Sequence, residues 1–155
     1  MANKHRGFTV PEVLIAVAIL GIIVVMMLGL SAKILPRWDL RGFARKFVTS
    51  VYKARNIALK EERNVWIEFK DKKYIIKVKI DDKDKILEEN LIPDELYVEG
   101  DTANPIMITP DGRFYVDMGA SPQIKLIMFQ FSNKYGDKII IKIYPLGSIS
   151  LKREF

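Results

Sequence analysis

Few residues of this chain could do chemistry, and one of them sits where charge is unfavourable. Glu12 directly precedes residues 13–32, twenty residues without a charge. A carboxylate costs about 2.5 to 3.5 kcal/mol at the centre of a membrane-spanning helix and less near the interface, where it can snorkel. A residue so placed needs a reason, of which snorkelling is the bland one. The other candidates carry less. There is no cysteine and one histidine, His5. Disulfides, thiolate metal sites, cysteine nucleophiles and imidazole acid–base catalysis are therefore excluded or nearly so. No glycine-rich phosphate loop occurs, and Ser121 and Ser132 have no evident activating base, so the chain does not read as an enzyme and no cofactor or metal is expected. Asp81, Asp82, Asp84, Glu88 and Glu89 invite calcium, yet the intervening lysines and the missing EF-hand glycine favour a charged hairpin. Lys77 and Lys79 could track a phosphate backbone, or guard the exposed face of an edge strand.

The elements that position these residues follow from composition and period. With 155 residues, 49% hydrophobic and 28% charged, the chain has material for one modest folded domain. Residues 13–32 are long enough, at about 1.5 Å per residue, to cross a hydrocarbon core of roughly 30 Å. Lys4, His5 and Arg6 before them form a basic leader, as in a secretory signal, but the apolar run exceeds a typical signal core and carries Glu12 at its head.

Gly7-Phe8-Thr9-Val10-Pro11-Glu12, after Arg6 and leading into the apolar run, resembles the processing site of type IV prepilins and of type II secretion pseudopilins. The resemblance implies cleavage between Gly7 and Phe8 by a prepilin peptidase, N-methylation of Phe8, and an assembly role for Glu12. Cleavage would leave an α-amine on Phe8, with a reference pKa of about 7.7 to 8.0, at the edge of an apolar helix. Glu12 is its natural partner. Within a chain the two lie one helical turn apart; between chains the same pair would neutralise as an incoming subunit docks. The spacing fits either arrangement, and the family implies the second. In a helix starting at Phe8, Pro11 would occupy the fourth position, where no intrahelical hydrogen bond is lost, and its ring would keep helix from extending into the leader.

Beyond the run, Leu40, Phe43, Ala44, Phe47, Val48, Val51, Ala54 and Ala58 recur at helical intervals, predicting an amphipathic helix that continues the membrane helix, with Gly29 and Pro36 as the place to bend or melt. Residues 33–60 hold eight basic residues against one acid, Asp39. That charge suits phospholipid or nucleic acid, although a solvated helix face is commoner. A positive-inside count would put the body in the cytoplasm, but long domains translocate largely regardless of charge. Alternation at Val65, Ile67 and Phe69 and at Tyr74, Ile76, Val78 and Ile80 predicts a hairpin about residues 71–73, then a turn at residues 81–85. Further strands are expected at residues 96–98, 106–108 and 114–116, the last introduced by Pro110-Asp111-Gly112. Residues 125–131 and 138–144 should be a central hairpin covered on both faces, with a last strand over residues 147–152. The fold class is α+β, a long N-terminal helix, transmembrane then amphipathic, packed on antiparallel sheet.

Phe47, Ser50, Val51, Ala54-Arg55, Ala58, Arg63-Asn64-Val65, the Pro110-Asp111-Gly112 turn and the Gly147-containing strand are similar to the GspH/FimT family of minor pilins and pseudopilins. The resemblance implies a pilin-like organisation: a leader over residues 1–7, a transmembrane and assembly helix over residues 8–36, and a soluble domain over residues 37–155, with its helix at 37–61 and sheets at 64–155. It implies a structural subunit of a type II secretion pseudopilus or type IV pilus, with the filament tip as one location. Its partners would be other pilins or pseudopilins in a helical filament, the prepilin peptidase and methylase, an inner-membrane assembly platform and membrane lipid. The chain would cross the cytoplasmic membrane once, body outside, before entering the filament. Some relatives of FimT capture DNA through arginines in C-terminal loops. Here the net charge is +6, and Arg113, Lys152 and Arg153 are the candidate contacts, but Gly147-Ser148-Ile149-Ser150 holds no arginine.

Overall fold

The computed structural model describes residues 9–80, 83–119 and 122–154, with backbone alone for residues 28–36. The chain divides into two compact units, Met1–Pro36 and Arg37–Phe155. Helix α1 (Val10–Glu61) contributes to both. The backbone is helical through Gly29 and Pro36, so the melting expected there does not occur. An interior proline removes one hydrogen bond of the ladder, and long helical stretches on either side can carry that loss.

In the second unit, α1 buries Leu40, Phe43, Ala44, Phe47, Val51, Ala54 and Ala58, the face that the periodicity marks; Val48 is partly buried. It is followed by β1 (Val65–Lys70), β2 (Lys73–Ile80), β3 (Lys83–Leu91), β4 (Leu96–Gly100), β5 (Ile106–Ile108), β6 (Phe114–Val116), β7 (Ile127–Asn133), β8 (Lys138–Ile143) and β9 (Ile149–Glu154). They form two antiparallel sheets, ordered β3-β2-β1-β5-β6 and β4-β7-β8-β9. Phe47 is fully buried where both sheets meet the helix. Its ring lies 5.2 Å from Tyr74 and 5.5 Å from Phe69 of the first sheet, and 5.3 Å from Phe129 and 5.4 Å from Phe131 of the second. The Tyr74, Phe129 and Phe131 contacts are edge-to-face, and aromatic pairs of this kind add roughly 0.5 to 1.5 kcal/mol each beyond area burial.

Asp71 and Lys72 both adopt positive φ between paired Lys70 and Lys73, a two-residue turn whose twist suits the hairpin. The left-handed strain at Lys72 is offset by ties at both ends of the residue: its carbonyl accepts from Ile92 N–H (2.8 Å) and its ammonium meets Asp94 (2.7 Å).

Three details differ from the sequence expectation. Lys83, Asp84 and Lys85 are strand, not turn, and the remaining turn residues, 81 and 82, lie outside the described residues. β3 is a sheet edge with only Asn90 buried, so it carries no apolar alternation, and its place comes from pairing with β2. That pairing makes β2 an interior strand, so Lys77 does not guard an edge; it bridges Glu68 (2.6 Å) and Asp84 (2.9 Å). The β7–β8 hairpin is central to its sheet but buried on one face only. Ile127, Phe129, Phe131, Ile139, Ile141 and Ile143 point inward, whereas Met128 is 42% exposed. Residues 125 and 126 precede the strand, with Lys125 held by Asp101 at 2.6 Å.

Polar ties fix the helix to both sheets. Asp137, 4% exposed, accepts from Arg37 Nε with both oxygens (3.1 Å each) and from Asn133 Nδ2 (3.0 Å). Burial disfavours its charge, but the Asn133 and Arg37 hydrogen bonds and the nearby positive charge of Arg37 and Arg41 outweigh burial and hold the carboxyl below the usual range. Glu88 shows the same balance: burial opposes ionisation, while Ser50 (2.6 Å), Asn90 (2.7 Å) and Lys53 (3.1 Å) donate to it and lower its pKa. Arg55 reaches two turns, donating to the carbonyls of Gly112 (3.0 Å), Leu146 (3.2 Å) and Gly147 (3.5 Å). Gly147 has φ +90°, and a Cβ there would collide with the guanidinium, so both conformation and close approach require glycine.

Phe47→Ala should lower the unfolding free energy by about 3 to 5 kcal/mol, read by denaturant unfolding in detergent; a loss below about 1 kcal/mol would mean that the seam does not carry the fold. Asp137 and Glu88 ionise more readily folded than unfolded. Their contribution is thus fully present above their ordinary values of 3.8 and 4.5 and is lost as pH falls through the lower folded values. The unfolding midpoint should fall steeply below about pH 4.5, with Asp137→Asn showing a shallower acid limb; an unchanged limb would show that this carboxylate is not coupled to folding.

Candidate functional site

The N-terminal residues that suggested chemistry are held by the way α1 begins. Gly7 and Phe8 lie outside the described residues. Helix α1 starts at Val10, not Phe8, because Thr9 is its N-cap: the first bond of the ladder runs from Val13 N–H to the Thr9 carbonyl at 3.2 Å. Glu12, at the third helical position, reaches back so that its Oε2 accepts from the Thr9 backbone N–H and from the Thr9 hydroxyl, both at 2.9 Å. The carboxylate thereby satisfies a donor outside the ladder and sits at the positive end of the helix, one half of a capping box. Pro11 falls at the second helical position, where an N–H would have no partner in any case. The Thr-x-x-Glu spacing before an apolar run was the legible signal for this start.

From Glu12 the helix presents Val13, Ala16, Val17 and Leu20 as one exposed stripe. The window Val10–Met27 is long and apolar enough to cross a membrane, and none of it is buried. A carboxylate therefore heads an unpartnered apolar surface. Its Oε2 is committed within the chain, and Oε1 takes no hydrogen bond from the described residues. Such an arrangement can pair one further cation without dismantling the cap.

The residues marked for nucleic acid do not form one patch. Arg113, on the turn between β5 and β6, pairs with Asp111 at 2.9 Å. Lys152 and Arg153 are neighbours on β9, opposite Ile140 and Ile139, so their side chains leave opposite faces of the sheet. Lys152 also pairs with Glu154 at 2.8 Å. Among the described residues no group of three His, Cys, Asp or Glu side chains is arranged to hold a metal ion. Arg55, Gly112 and Gly147, which the sequence offers far apart, do come together, and their role is to hold two turns against the helix.

Residues 2–28 match the family model of the prokaryotic N-terminal methylation motif. No curated protein matches the chain. Among solved structures, the minor pseudopilin EpsH from the Type 2 Secretion System of Vibrio cholerae is similar, with a TM-score of 0.60 and 8% identity over 74% of this chain and 97% of that one. At that identity the likeness is one of fold. The chain thus joins a prokaryotic N-terminal methylation motif on an apolar helix to the pilin-like α+β fold seen in a minor pseudopilin.

Proposed function

We propose that the protein is a minor pseudopilin or minor pilin, a structural subunit of a type II secretion pseudopilus or a type IV pilus. The observation that carries this reading is the methylation motif running directly into an exposed apolar helix headed by Glu12. The chain is stored in the cytoplasmic membrane as a single-pass protein with its body outside the cytoplasm. Prepilin peptidase cuts between Gly7 and Phe8 and Phe8 is methylated. The assembly platform then moves the subunit into a helical filament of other pilins, where the tip is a natural place for a minor component.

In this scheme Glu12 neutralises a neighbouring subunit's α-amine. Oε1, which takes no hydrogen bond from the described residues, offers the acceptor, while Oε2 keeps the helix start fixed. The stripe of Val13, Ala16, Val17 and Leu20 buries against neighbouring helices.

Mass spectrometry of the protein from its native membranes should give a first residue of N-methylated Phe8, with pilin-like companions that name the machine. A first residue of Met1, or one following a conventional signal cut near Lys33, would overturn the reading. Glu12→Gln separates charge from capping, since glutamine at this position still accepts from the Thr9 N–H. Insertion and processing should persist while incorporation into filaments falls by about tenfold or more, measured by shearing and immunoblotting; normal incorporation would remove Glu12 from assembly.

A further inference from the structure

The cations after the apolar run are not all absorbed by the fold. Arg37 is committed to Asp137, Lys53 to Glu88, and Arg55 to three turn carbonyls. Arg45 and Lys46 are exposed and have no carboxylate partner among the described residues. They share the first turns of the second unit with Arg41 and with Trp38, which is 69% exposed. Trp38, Arg41, Gly42 and Arg45 line one notch of about 200 Å³ on α1.

 

Asp39 is the sole acid between residues 33 and 60.

We propose that Trp38, Arg45 and Lys46 form a docking surface for the anionic phospholipid headgroups of the membrane that holds the chain. The inference rests on the anchored reading above. Charge and amphipathicity both favour this occupant. An exposed tryptophan has an apolar body and one N–H donor, which suits the boundary between headgroups and acyl chains. Guanidinium and ammonium groups beside it match phosphodiesters, and each cation near an anionic surface strengthens binding roughly fivefold. Trp38 follows the last residue of the uncharged run by six positions, so an inserted chain delivers the patch to the headgroup layer at high effective concentration. Nucleic acid would meet the same cations without that tether. The surface also gives the cations behind the contrary positive-inside count a function on the outer side: they hold the stored subunit to its leaflet.

The test uses the full chain in nanodiscs of phosphatidylcholine alone, or of phosphatidylcholine and phosphatidylglycerol in equal parts. Trp38 emission is read as the difference between the native chain and Trp38→Phe, which leaves Trp66 as background. A blue shift and quenching by a lipid brominated near the headgroup, confined to the phosphatidylglycerol discs and weakened by salt, are the expected result. Arg45→Gln and Lys46→Gln should each weaken the response roughly fivefold. Equal emission in both discs, an unchanged response in the charge variants, or a shift produced by duplex DNA and not by phosphatidylglycerol would overturn the proposal. A chain that enters the discs but ignores phosphatidylglycerol defeats this inference alone. One that does not enter them defeats the anchored reading as well.

Discussion

The second unit depends on one steric requirement: a single helix face must fill the seam between two separate sheets. Phe47 meets it. Its ring touches Phe69 and Tyr74 from one sheet and Phe129 and Phe131 from the other, so neither sheet closes its core without the helix. The small residues Ala44, Ala54 and Ala58 let the strands approach the remainder of that face. The sheets need not pair with each other by a shared ladder, because the helix supplies the common wall.

Around this apolar seam, polar ties act at three levels of the helix. Arg37 secures the β7–β8 turn through Asp137, Ser50 and Lys53 secure β3 through Glu88, and Arg55 secures the turns at Gly112 and Gly147. Each tie joins residues distant in sequence, and the two carboxylates involved are ionised despite partial or near-complete burial. Breaking one partner would leave the other desolvated, so these ties specify where each sheet sits as much as they stabilise it.

The helix face and the one-sided hairpins were legible because buried positions repeat at 3.6 or 2 residues, as Leu40, Phe43 and Phe47 or Val65 and Ile67 do. β3 was not, since a solvated edge strand has no apolar period and Lys83–Leu91 reads as charge. The burial of the β7–β8 hairpin was overread for the opposite reason: Ile140 and Met128 are apolar but lie on the outer face. At the N-terminus, Glu12 stood out by its position beside an apolar run, whereas its bond to Thr9 went unread although the spacing was present. The meeting of Arg55 with two turns depends on tertiary approach and has no local signature.

The cap at Thr9 separates two events that a helix beginning at the scissile bond would have coupled. With the helix starting at Val10 and its first carbonyl supplied by Thr9, the proposed cut before Phe8 would remove no rung of the ladder among the described residues. The apolar segment would then need no refolding on such processing. Under that reading the cut would add one new amine near a carboxylate already fixed by Thr9, a charge by which a neighbour could recognise the processed subunit.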